Sequence, residues 1–254
     1  MATTSIFIQS TDFLRYVLSR ADDALILGHR LSEWCGSAPT MEEDMALANM
    51  GLDLIGQARS LYAYAAQIED NGRSEDDLAY LRNERDFGNL LLVEQPNGDF
   101  AQTMVRQFLY SVFIDLYWQA LVKSADATLA GIAAKAEKES AYHLRHSAEW
   151  VIRLGDGTQE SHKRAQRALD RLWPYTGELF AEEASGLSRI VPDASALRPA
   201  WLQIVQDILA KASLRLPQDG WKQTGGRAGI HSEHLGFLLA EMQFLPRTYP
   251  GAVW

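Results

Sequence analysis

Apolar side chains recur along this chain at intervals of three and four residues over long windows, and alternation with a period of two is scarce. That spacing stacks them on one face of a helix, so the pattern predicts an all-α protein. Valine, isoleucine and threonine do not gather into short runs bounded by turn residues, which argues against a β-rich fold. The first helix starts at Ser10 or Thr11 and runs to about Trp34, with Phe13, Val17, Ala21, Ala24, Leu25, Gly28 and Leu31 along one face. Cys35-Gly36-Ser37-Ala38-Pro39 breaks it. Thr40 and Glu43 then read as a capping box, hydroxyl and carboxylate each satisfying a free backbone N–H. The second helix continues to about Ile68 with a stripe of Met45, Ala48, Leu52, Ile55 and Tyr62, and Asn71-Gly72 stops it.

An irregular stretch follows from Ser74 to Gly98, with a short helix near 76–85 and a connection after it. Asp99 caps a third long helix, to about Lys123, and Asp126 opens a fourth that ends at Leu154. A fifth, from about Gln159 to Glu183, carries Pro174, which should kink it or end its first half. A sixth runs from about Leu197 to Leu214, and a glycine-rich loop, 219–229, precedes a last helix from about His231 to Leu245. Two long helices, a connection and two more long helices is the order of a four-helix bundle with one long crossover, here followed by accessory C-terminal helices. No segment repeats and no low-complexity linker intervenes, so a single domain over 1–254 is expected.

The third helix is apolar almost all round, from Phe108 to Leu121, which predicts burial in the centre of the fold or under a partner. Asp115 is the one charge in the middle of that run. A buried carboxylate must be paired, protonated or metal-bound, and a neighbouring Arg or Lys is the expected partner.

Composition narrows the function. Asp plus Glu number 33 against 24 Lys plus Arg, a net charge of -9 over 254 residues, so the basic footprint of a nucleic-acid or membrane-surface binder is absent. No uncharged apolar run nears the roughly 18–20 residues that span a bilayer, and the start lacks a signal-peptide pattern, so a cytoplasmic protein is expected. One cysteine, Cys35, leaves no internal disulfide and no Cys-based metal site, and a small buried thiol is the expected reading of it.

Crossover bundles often hold two metals between a Glu from each of two helices and a Glu-x-x-His from each of the other two. Three residues before His29, His143, His146, His162, His231 and His234 stand Ile26, Ser140, His143, Gln159, Ala228 and His231. None is a carboxylate, so the two-metal signature is missing. Glu139 and His143, one turn apart, are the nearest remnant: a hydrogen-bonded core pair, or with Glu33 or Asp44 a divergent single site. His231-Ser232-Glu233-His234 reads as helix capping or a polar interface, and the loops at 155–158 and 224–229 lack a phosphate-loop lysine and read as turns.

Several segments resemble the C-subunit family of bacterial phenylacetyl-CoA epoxidases: Arg30 to Gly36, Ala46 to Arg59, Leu90 to Gly98, Lys138-Glu139 with Tyr142 to Arg145, and His234-Leu235-Gly236 with Leu239 to Gln243. The region 181–197 fits less closely, and nothing is carried over there. The resemblance implies a ferritin-like fold in a multicomponent monooxygenase of phenylacetate catabolism. It implies a structural subunit without catalysis or metal of its own, with Ser140 standing where a ligand Glu would be expected. Its implied partners are a catalytic A-type subunit holding the di-iron centre, in a heterotetramer of two A–C pairs, a small B-type subunit, and a reductase with NADPH, flavin and an iron–sulfur centre. It also implies residues near the phenylacetyl-CoA substrate, placed at Asp86, Phe87, Gly88 and Asn89. Glu33, Asp44, Asp115, Glu139 and His143 would be the polar core of a degenerate site, and Tyr110, Tyr117 and Trp118 the interface candidates. Exposed apolar interface would encourage a homodimer of the isolated chain. Two other functions compete: an iron-dependent oxidase using Glu33, Asp44, Glu139 and His143, and a stand-alone acyl-CoA-binding helical module.

Overall fold

The computed structural model describes residues 11–181 and 187–252. Part of the poorly matching 181–197 region, and Ser10 as a helix start, therefore lie outside the described residues. Every regular element among them is helical: α1 (Asp12–Ser32), α2 (Met41–Glu69), α3 (Glu75–Tyr80), α4 (Leu91–Glu94), α5 (Phe100–Leu121), α6 (Ala127–Gly155), α7 (Gln159–Leu172), α8 (Ala194–Lys211), α9 (Glu233–Met242) and α10 (Phe244–Thr248). The starts obey local chemistry. Thr11, Asp99, Asp126 and Thr158 each accept a hydrogen bond from a backbone N–H in the first turn of the helix that follows. α7 stops two residues before Pro174, and the chain goes on as tight 3₁₀ turns to Phe180, because proline supplies no N–H to the ladder. α4 and the helical break at Gln243 are absent from the sequence pattern; four residues are too few to show a period.

The described chain divides into two compact units, each discontinuous in sequence. One takes 11–37, 44–96 and 225–252, the other 38–43, 97–181 and 187–224. Because the chain passes between them repeatedly, no linker marks the boundary in the sequence.

In the first unit α1 is buried on nearly all sides, including Ser19, Arg20, Asp22 and Asp23. α2 buries Leu47, Met50, Leu54, Ala58, Leu61, Tyr62 and Ala65. The stripe expected from its spacing differs: Met45 and Leu52 are 60% and 66% exposed. The helix is apolar over much of its circumference, and packing selected a face the periodicity could not single out.

In the second unit α5 packs against α6, α7 and α8. It is buried over almost its whole length, as its apolar circumference predicts. Tyr110, Tyr117 and Trp118 are at most 2% exposed, which makes them core within the chain and not the free surface an interface needs. Trp201 of α8 donates its indole N–H to the Leu109 carbonyl at 3.0 Å, satisfying its buried donor.

Candidate functional site

In the first unit a cluster of fully buried polar side chains, Asp22, Arg82, Asn89 and Glu94, lies beside a cleft of about 470 Å³. α1 contributes Arg15, Leu18, Ser19 and Asp22, which spacing of three and four puts on one helix face. The connection after α3 contributes Arg85, Asp86, Phe87 and Gly88; the glycine-rich loop contributes Arg227, Ala228 and Gly229.

Buried charge holds these walls. Arg82 and Asp22, both fully buried, form a two-pronged ion pair. Tyr62 donates its hydroxyl to Asp22 Oδ1 at 2.5 Å. Burial, and then the Asp22 charge, hold the Tyr62 phenol well above its ordinary pKa. Burial opposes the Arg82 charge, but Asp22 outweighs it and pushes that pKa up. The other Asp22 oxygen accepts the Gly88 N–H at 2.8 Å, and Asp23 accepts the Leu90 N–H at 2.7 Å. Asp22 and Asp23 thereby fasten the connection to α1 through its own backbone.

Arg227 fastens the opposite wall. Its guanidinium meets both oxygens of Asp23 at 2.7 and 2.9 Å and donates to the Gly88 and Ser19 carbonyls at 2.6 and 3.2 Å. The loop carrying it comes so close that only glycine fits. A Cβ on Gly226 would sit 2.2 Å from the Asn89 carbonyl oxygen, and one on Gly229, where φ is +72°, 2.3 Å from that of Arg85.

Behind the cleft, Glu94 accepts from the Ser232 N–H at 2.7 Å, the Asn89 side-chain amide at 2.9 Å and His231 Nδ1 at 2.8 Å. His231 Nε2 lies 2.9 Å from the Phe87 carbonyl oxygen. Burial alone would lower the His231 pKa, but the bonds to Glu94 and Phe87 outweigh it and raise it. Of the carboxylates around this cleft, Asp22 faces Arg82, Asp23 faces Arg227 and Glu94 faces His231. The cations at the mouth are freer. Arg85 is exposed with no ion-pair partner among the described residues, and Arg15 shares only the exposed Asp12.

Of the four expected substrate residues, Asp86, Phe87 and Gly88 line the cleft. Asn89 is buried behind it on Glu94 and does not line it. Phe87 is buried too, its ring centroid 4.2 Å from the Arg82 guanidinium. Sequence reasoning missed Asp22, Asp23, Arg82, Glu94, Arg227 and the burial of His231. Two adjacent aspartates in the middle of an apolar helix were the available signal.

Glu33 is exposed and pairs with Arg30 at 2.7 Å, while Asp44 accepts the Gly36 N–H at 2.7 Å and holds the turn between α1 and α2. Asp115 has neutral partners in place of the expected Arg or Lys, accepting from Ser140 Oγ at 3.0 Å and Gln119 Nε2 at 2.7 Å. Burial, only partly offset by those bonds, raises its pKa. His143 is buried, and Glu139 lies 3.8 Å from Lys135. Among the described residues no three His, Cys, Asp or Glu side chains are placed to hold a metal ion, so the donors do not fit a two-metal centre. Cys35 is exposed, not buried, since the turn after α1 projects it outward.

The family whose sequence profile matches residues 2–254 is described as phenylacetic acid catabolic protein. The chain belongs to that family. Its fold is accordingly all-α, as the helix pattern predicts, and ferritin-like, as the resemblance implies. Among its relatives is the C subunit of the 1,2-phenylacetyl-CoA epoxidase of Escherichia coli (strain K12), 49% identical over 243 residues, which cover 94% of this chain and 98% of that one. Among the described residues no helix is long and apolar enough to cross a membrane.

Proposed function

We propose that this chain is a structural, non-catalytic subunit of a multicomponent monooxygenase that epoxidises the ring of phenylacetyl-CoA. The observation that carries this reading is the 49% identity, over nearly the full length of both chains, to a relative named as the C subunit of such an epoxidase. The donor chemistry supports it, because among the described residues no three His, Cys, Asp or Glu side chains are placed to hold a metal ion, and Asp115 accepts from Ser140 and Gln119. In this reading the catalytic A-type subunit holds the di-iron centre in a heterotetramer of two A–C pairs. A reductase with NADPH, flavin and an iron–sulfur centre completes the system, together with a small B-type subunit.

The cleft is where this subunit meets the coenzyme A portion of the substrate. Its mouth carries Arg15 and Arg85, and guanidinium groups bind phosphate through paired N–H donors. Because Phe87 and Asn89 are buried, and Asp22 and Arg227 engage the Gly88 N–H and carbonyl, contacts from 86–89 fall to Asp86.

Co-expression with the cognate catalytic subunit, followed by iron analysis of the complex and of the isolated chain, tests the reading. A stable complex whose iron follows the catalytic subunit is the expected outcome. Stoichiometric iron on this chain alone, lost in Glu139→Ala, would overturn it in favour of an oxidase of its own.

A further inference from the structure

His231 presents both ring nitrogens to oxygen atoms: Nδ1 to Glu94 Oε2 at 2.8 Å, and Nε2 to the Phe87 carbonyl at 2.9 Å. A carbonyl oxygen cannot donate, and neither can the Glu94 carboxylate, which already accepts from the Ser232 N–H and the Asn89 amide. A neutral imidazole has one N–H and one lone pair, so one contact would set lone pair against lone pair. The side chains of His231 and Glu94 are both 0% exposed, which leaves no access for water to relieve that clash. Against a carboxylate and a carbonyl, only the doubly protonated ring satisfies both neighbours.

We propose that His231 is a positioning residue whose charged ring clamps the glycine-rich loop to the 87–94 connection, closed while the ring keeps both protons and released when it loses one. The idea deepens the reading of the cleft as a coenzyme A site by naming what regulates its width.

The surroundings favour the charged form. Glu94 faces the ring from α4, and Asp22 reaches it from α1 with its own charge met by Arg82. Arg30 of α1 donates to the Glu94 and His234 carbonyls, leaving the Glu94 carboxylate to the ring, Ser232 and Asn89. Glu84 approaches α9 at Gly236, and Glu233 and His234 follow on the ring's own segment. Arg227, already matched to Asp23, is the other anchor of the loop.

The two anchors differ in chemistry. A guanidinium does not titrate in the working range, whereas an imidazolium does. Losing the His231 proton therefore leaves the loop tethered at Arg227 and frees its Gly229–Ser232 end, which widens the cleft along one wall. The sign follows from the raised pKa. The clamp's contribution is complete below the unfolded histidine value of 6.5 and is lost as pH rises through the higher folded value.

Nitrogen-15 NMR of the full-length chain across a pH titration tests this directly. The expected result is imidazolium shifts on both His231 nitrogens at pH 6.5, with the ring losing its proton only above the ordinary histidine range. As it does so, the protection factor of the Ser232 amide should fall, while that of Leu90, held by Asp23, stays. Glu94→Gln, which removes the anion but preserves shape, should move both events to lower pH. A ring that loses its proton at or below the ordinary histidine value, or Ser232 protection that ignores the titration, would overturn the clamp. Coenzyme A is the probe for the site: its affinity should weaken over the same pH interval. If the ring titrates and the amide is released while coenzyme A binds at no pH, the clamp stands and the reading of the cleft falls.

Discussion

Arg82 uses nearly all of its hydrogen-bonding capacity without any water. Its guanidinium donates to both oxygens of Asp22, to the Tyr62 hydroxyl at 3.0 Å, and to the carbonyls of Leu78 and Asp86 at 2.5 and 2.8 Å. A buried ion pair gains little over an apolar replacement, but removing one partner leaves the other charge stranded. Arg82→Met should therefore cost about 3–5 kcal/mol in urea denaturation. Adding Asp22→Asn should recover part of that loss, and a double-mutant cycle with no recovery would contradict the pairing. How legible this was divides within the pair. Asp22 and Asp23 stand out in the sequence as charges in an apolar window, and a carboxylate so placed demands a partner. Which cation answers was not readable, because Arg82 and Arg227 lie 60 and 204 residues away along the chain. The reverse error at Asp115 has the same root: a cation was expected, and packing brought a serine and a glutamine.

Helix starts and stops were legible because they depend on neighbours in sequence. Asp99, Asp126 and Pro174 act within a few residues of where they stand. The faces of helices were less so, and α2 shows why: nothing local separates the Leu47–Leu54 face from Met45 and Leu52. The loop at 225–229 read as an ordinary turn, yet its glycines allow backbone to lie against backbone and bring Arg227 to Asp23. Gly229→Ala combines a left-handed φ with a clash against the Arg85 carbonyl, and should destabilise by about 1–3 kcal/mol. Gly131→Ala, exposed in α6 with open space around it, is the control and should stabilise by about 0.5–1 kcal/mol. Denaturant midpoints of the two variants moving the same way would refute the close-approach argument.

At the scale of the whole molecule, a net charge of -9 coexists with several large apolar side chains left in solvent. Met45 and Leu52 on α2, and Phe237 and Phe244 near the C-terminus, are each at least 60% exposed. Exposed apolar surface of that kind marks association sites, which the proposed role in a multicomponent enzyme requires. Leu52→Asp should abolish or sharply weaken association with the catalytic subunit while leaving the melting temperature of the isolated chain unchanged, since the residue is not in the core. Undiminished co-purification would place the interface elsewhere. The aromatic residues of α5 are excluded from that role by burial, a distinction that hydropathy along one helix cannot make.

The sequence by itself determined the helical class, the order and caps of the long helices, the missing Glu-x-x-His spacing and, through scattered motifs, the family. All of these are properties of residues close to one another in the chain or of strings compared directly. Only the tertiary structure decided which helix faces are inside and where the buried charges find partners. It also decided that the connection after α3 and the glycine-rich loop form two walls of one cleft. Those are long-range matters of packing and desolvation, in which a residue's surroundings come from segments far from it in sequence.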